Sequence, residues 1–97
     1  MNLQMHSIKF NADEKLLSLI QKKVDKLEIF YDRIVDGEVY LRLNNTGVEN
    51  KTVEIKLNMP GEQLFAESSA KSFEIATDEA AEALKRQITK YKKRMSR

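Results

Sequence analysis

The chain has 97 residues, 41% hydrophobic and 33% charged, with no cysteine and a formal net charge of +2. That length holds one domain, burying about two-thirds of its unfolded surface, and the composition is too apolar for disorder and too interrupted by charge for a membrane span. Disulfides, thiolate catalysis and cysteine-based zinc sites are excluded, and Met1 to His6 lack the basic start and apolar run of a secretory signal, so a cytoplasmic protein is expected.

Leu3 and Met5 alternate with Gln4 and His6 in a first strand running to Phe10, before Asn11 and Asp13, either of which can cap a helix. From Asp13 to about Phe30, the residues Leu16, Leu17, Ile20, Val24, Leu27 and Tyr31 recur at three- and four-residue steps, the stripe of an amphipathic helix. Lys15, Lys22 and Lys26 fall on the opposite face as a short basic row. After Asp36-Gly37 the period changes to two. Val39, Leu41 and Leu43 alternate with polar residues in a second strand, Asn44 to Gly47 make a turn, and Val53, Ile55, Leu57 and Met59 repeat the pattern in a third. Pro60-Gly61 ends it, and a fourth strand is expected over about Glu62 to Ser68. Ser72 caps a final helix whose buried stripe is Phe73, Ala76, Ala80, Leu84, Ile88, Tyr91 and Met95. The expected class is α+β in the order β-α-β-β-β-α, a mainly antiparallel four-stranded sheet with both helices on one face.

The charge is unevenly placed. Residues 85–97 hold seven basic side chains and no acidic one, whereas residues 1–84 hold ten basic and fifteen acidic. Helices commonly end in lysine because the dipole favours cations there, and a charge run is most often a solvated face. A merely soluble helix mixes signs through i,i+4 pairs, however, and no acid follows Glu82. Unpaired cations repel one another unless an external polyanion supplies the missing charge, so nucleic acid is the leading partner. On the final helix Arg86, Lys90, Lys93 and Arg97 form one row, flanked on the other shoulder by Lys85 and Lys92. A membrane surface fits less well, because the apolar face of this helix is rich in alanine and needed for the core.

Other features carry little chemistry. His6 is the only histidine and is read as an exposed sheet residue, and Asp32, Asp36 and Glu38 as solvated carboxylates. Gly37, Gly47 and Gly61 belong to separate turns and make no phosphate-cradling loop. Tyr31 and Tyr91 lie on core stripes, which leaves Tyr40, beside Arg42 on the outer sheet face, as the candidate for stacking on a base. No catalytic residue, metal, cofactor or small-molecule substrate is indicated.

Two segments carry a resemblance. Lys26-Leu27-Glu28-Ile29-Phe30-Tyr31-Asp32-Arg33-Ile34 resembles the segment of the ribosome hibernation promoting factor and ribosome-associated inhibitor family in which Lys-Leu-Glu precedes a variable residue, two aromatics and Asp-Arg-Ile. Leu84 to Lys93 is similar to that family's last-helix pattern of Lys-Leu, a variable residue, Arg-Gln and alternating lysines. The order of elements matches as well, over nearly the whole chain. The resemblance implies a stationary-phase factor, also labelled a sigma-54 modulation protein, that binds 16S rRNA of the small ribosomal subunit in the decoding region. It would fill the channel of messenger and transfer RNA and block translation. The chain looks like the short members, a single ribosome-binding domain over residues 1–97 without the C-terminal dimerisation domain of long ones, so pairing of ribosomes would need a second factor.

Residue by residue, Lys26, Arg86 and Lys90 match family RNA contacts, and Lys23 and Arg94 fall at positions often basic in it. Lys22, Lys85, Lys92, Lys93 and Arg97 complete the expected RNA-binding set on charge. The family's lysine before the leucine of the last-helix pattern is Ala83 here, and its Asp-x-Tyr opening is Ser72-Phe73-Glu74. Lys85 lies about 160° around the helix from Ala83 and cannot replace that lysine. The rival reading is a regulator whose basic face meets an acidic protein partner. A double-stranded-RNA-binding domain shares an α-β-β-β-α core, but residues 44–50 offer no basic side chain for its loop contacts.

Overall fold

The computed structural model describes residues 1–44 and 47–96. One sheet has the order β1 (Leu3–Ile8), β2 (Asp36–Leu43), β3 (Lys51–Met59) and β4 (Glu62–Ala70). β1 pairs in parallel with β2, and the other two ladders are antiparallel, so the sheet is mixed. A parallel pair needs a crossover, which α1 (Glu14–Asp25) and a following 3₁₀ turn (Lys26–Ile29) supply. After β4 comes α2 (Phe73–Met95). Both helices pack on the same face, where Ile20, Val24, Leu84 and Ile88 meet Val39, Leu41, Val53, Ile55 and Leu57, all removed from solvent. Each such side chain contributes about 1.5–3 kcal/mol relative to exposure. Among the described residues no helix is long and apolar enough to cross a membrane.

Local chemistry sets the boundaries. β1 stops at Ile8, short of the expected Phe10, because Lys9 takes a left-handed φ of 68° and turns the chain. Phe10 then stacks on Phe73 at 5.1 Å and joins the rim of the core. Asp13, not Asn11, caps α1, its carboxylate accepting from Leu16 N at 2.9 Å. The α-helix ends at Asp25 rather than near Phe30. The 3₁₀ turn keeps Leu27 buried but brings Tyr31 to the core through irregular backbone, edge-on to Tyr91 at 5.2 Å. β4 extends two residues beyond the expected Ser68, with Leu64 and Ala66 inward and Phe65 exposed on the outer face. Asn45 and Thr46, in the expected turn, lie outside the described residues.

The outer face of the sheet neutralises itself. Glu54 and Glu67 stand opposite one another in register, and Arg42 reaches both, at 2.7 and 3.8 Å. His6 stacks on Tyr40 at 4.7 Å, and the Tyr40 hydroxyl donates to Glu38 at 2.9 Å. Tyr40 is therefore not the free stacking platform expected from its position. Asp36, bonded by the Asn58 amide, and Glu38 are likewise engaged rather than simply solvated. At the far edge the Gln87 side chain donates to Phe65 O at 2.6 Å and accepts from Phe65 N at 3.3 Å, occupying β4 backbone groups otherwise open to another strand.

Candidate nucleic-acid interface

α2 is the beam that carries the basic residues. Ser72 caps it by accepting from Ile75 N at 3.1 Å, Glu74 lies in the first turn, and Lys92, Lys93 and Arg94 lie in the last, the polarity that complements the helix dipole. Its buried stripe runs from Phe73 to Tyr91, whose hydroxyl donates to Pro60 O at 2.7 Å and ties the end of the helix to the β3–β4 hairpin. Residues 92–96 beyond it are all exposed.

Burial pushes the Tyr91 phenol above its ordinary 10.0. With the folded value raised, the stability that this group adds is intact below about pH 10 and is lost as the pH climbs further, when only the unfolded chain ionises freely. Tyr91→Phe is expected to lower Tm by about 4–8 °C, the worth of one net hydrogen bond in a domain of this size, and to flatten the alkaline loss of stability. Thermal melts of both proteins from pH 8 to 11 check this.

α1 lies beside α2 and runs in the same direction, since contacts advance along both together. Lys23 Nζ reaches Asp78 Oδ1 at 2.6 Å and Glu74 Oε1 at 4.0 Å, and further along Phe30 lies beside Lys85 and Thr89. Between the helices runs a groove. One hollow of about 310 Å³ is lined by Lys26, Phe30, Lys85, Asp78 and Glu82, and a second of about 290 Å³ by Phe30, Thr89, Lys92, Lys93 and Ser96.

The ten expected RNA-binding residues sort by this geometry. Lys26, Lys85, Lys92 and Lys93 line the groove, while Arg86 and Lys90 are exposed on the outer side of α2. Among the described residues none of these six has a carboxylate within ion-pair distance. Lys23 is held by Asp78 and serves as an interhelix tie. Arg94 is held by Glu62 at 2.6 Å, so one cation of the last turn has an acid from another element. Lys22 points toward β1, where it borders a different hollow with Leu3, Met5 and Leu17. Arg97 lies outside the described residues. Ala83 packs against the rim of the core.

Two residues of the site were not singled out by charge or periodicity. Phe30 lines both hollows, although Tyr31 is the one in step with the helical stripe. The signal for it was an aromatic just past a basic row. Gln87 acts through backbone groups of a strand 22 residues away and leaves no local trace.

The site thus consists of a mixed four-stranded sheet with two helices on one face, the second of which carries exposed cations that have no carboxylate within ion-pair distance among the described residues. The model of the family described as sigma 54 modulation protein / S30EA ribosomal protein matches residues 3–96, and the chain belongs to that family. The chain is 28% identical over 93 residues to a ribosome hibernation promotion factor of Deinococcus radiodurans, covering 94% of this chain and 49% of the relative. It is 28% identical over 97 residues to the factor of that name from Bacillus subtilis, covering 100% of this chain and 51% of the relative. It thus spans about half the length of the curated relatives it matches. The fold is similar to a ribosomal subunit interface protein from Coxiella burnetii, with TM-score 0.85 and 23% identity, over 95% of this chain and 98% of that one. It is also similar to the N-terminal domain of Protein Y from Thermus thermophilus, with TM-score 0.83 and 21% identity, over 94% and 99%.

Proposed function

We propose that the chain is the ribosome-binding unit of a cytoplasmic hibernation factor. It docks on the small ribosomal subunit through rRNA in the messenger and transfer RNA channel and blocks translation by occlusion. The observation that carries this reading is the set of six cations, Lys26, Lys85, Arg86, Lys90, Lys92 and Lys93, gathered on and beside α2 with no carboxylate partner among the described residues. Membership of the S30EA family supports it. So does the contrast with the outer sheet face, where Arg42 and Lys56 are already matched by carboxylates. Binding needs no chemistry: it exchanges condensed counterions on phosphate for protein cations.

The test is co-sedimentation with separated ribosomal subunits across a salt series, with transfer RNA as competitor. Six phosphate contacts give an expected slope of about −4 to −5 for log affinity against log salt, with binding to the small subunit and displacement by the competitor. Absence of binding to either subunit at low salt sinks the reading. Binding that survives digestion of the RNA points instead to an acidic protein partner.

A further inference from the structure

The groove between α1 and α2 combines charge with an aromatic ring. Phe30 stands between its two hollows, half-buried, with Lys85 Nζ 4.8 Å from the ring centroid. Lys26 and Lys85 lie on one side of the ring, Lys92 and Lys93 on the other. Lys85 and Lys92 are separated by seven residues of α2, about 10.5 Å along the helix axis.

We propose that Phe30 is a stacking platform for one unpaired base of a single-stranded RNA segment, whose neighbouring phosphates rest on Lys26 and Lys85 and on Lys92 and Lys93. The inference rests on the RNA-binding reading above and adds to it a contact with a base. A duplex does not satisfy the same arrangement. Its bases are stacked on each other and show only edges in the grooves, whereas a cationic channel interrupted by an aromatic ring suits a strand with a splayed base. The ammonium over the ring does not block the site, because an exposed cation–π contact is weaker than base stacking. Lys85 can swing from the ring onto an adjacent phosphate. Asp78 is neutralised by Lys23 at 2.6 Å, and Glu82, the other carboxylate lining the first hollow, is exposed to solvent and faces the two cations Lys26 and Lys85 in the same lining. Because every base has a π-face, the contact tolerates any sequence.

Three fluorescein-labelled probes test this by anisotropy at low salt: a ten-nucleotide oligoadenylate, an abasic oligomer of the same length, and a ten-base-pair RNA duplex. The parent protein is expected to prefer the oligoadenylate to the abasic oligomer by at least about 5-fold. Phe30→Leu, which keeps apolar volume without a ring, removes that preference, so that the oligoadenylate and the abasic oligomer bind it equally, while Phe30→Tyr retains it. A readout independent of variant stability is an upfield shift of the Phe30 ring protons on adding oligoadenylate to the parent, absent with the abasic oligomer. Equal binding of the two single strands, or a preference that persists in Phe30→Leu, overturns the stacking site while phosphate binding stands. Failure to bind any of the three probes overturns both.

Discussion

Replacing Arg86 and Lys90 together by glutamate (R86E/K90E) is expected to abolish co-sedimentation with the small ribosomal subunit near physiological salt, with Tm held within a few degrees of the parent. The two residues are four apart and stack along one line of α2, on the side away from Leu84, Ile88 and Tyr91. Both are exposed, and neither has an acid partner among the described residues, so their substitution removes no contact of the fold. Surface changes of this kind usually move stability by no more than about 0.5 kcal/mol. Hydrogen bonds to charged groups contribute about 1.5–3 kcal/mol each. Losing two weakens binding on the order of 100-fold or more, and reversed charge adds repulsion. The neutral pair R86Q/K90Q keeps part of the binding but lowers the salt slope by about 1.4–1.8, which separates lost contacts from a damaged fold. If R86E/K90E still pellets with subunits, the outer row of α2 is not the surface that meets RNA.

The sequence showed most clearly what local periodicity encodes. The alternation in β2 and β3 survives although β3 is central, because polar groups such as Thr52 and Glu54 line the outer face of the sheet and are satisfied there by Ser69 and Arg42. The stripe of α2 was legible for the same reason: one face of a long helix packs and the other does not. What escaped were contacts between residues far apart in the chain. Arg94 meets an acid 32 positions earlier, which the i,i+4 neighbours of the final helix do not show, and Lys23, expected to contact RNA from the resemblance, meets one 55 positions later. The stripe of α1 also ran on past its helix, because one 3₁₀ turn keeps nearly the same spacing. Beyond that turn the helical period no longer tells which aromatic lines the groove, and Phe30 rather than Tyr31 does so. The left-handed Lys9 had no signal at all, since lysine is not a residue that favours that conformation.

Gly37 is the position where a single methyl group is expected to cost most. Its place after Asp36 reads as a turn, yet it is a buried residue of β2 with no positive φ, bonded through its N–H to Asn2 O at 3.0 Å and in register with Leu3 and Leu57. A Cβ there would stand 2.8 Å from Leu3 Cδ2, 2.9 Å from Lys56 O and 3.0 Å from Leu57 Cδ2. The two leucines can shift by rotation. The Lys56 carbonyl belongs to the backbone of the central strand, and moving it distorts the β2–β3 ladder. Overpacking of this kind costs about 1–3 kcal/mol, so Gly37→Ala is expected to lower Tm by about 10 °C. Gly61 gives the contrasting case, with φ of 85° and open space around its Cβ position. There the cost is conformational, and Gly61→Asn recovers much of what Gly61→Ala loses, because asparagine tolerates the left-handed region. At Gly37 asparagine is larger than alanine and destabilises further. The order of the four melting temperatures therefore tells steric contact from backbone strain, and a Gly37→Ala protein melting with the parent rules out the close approach of β1, β2 and β3.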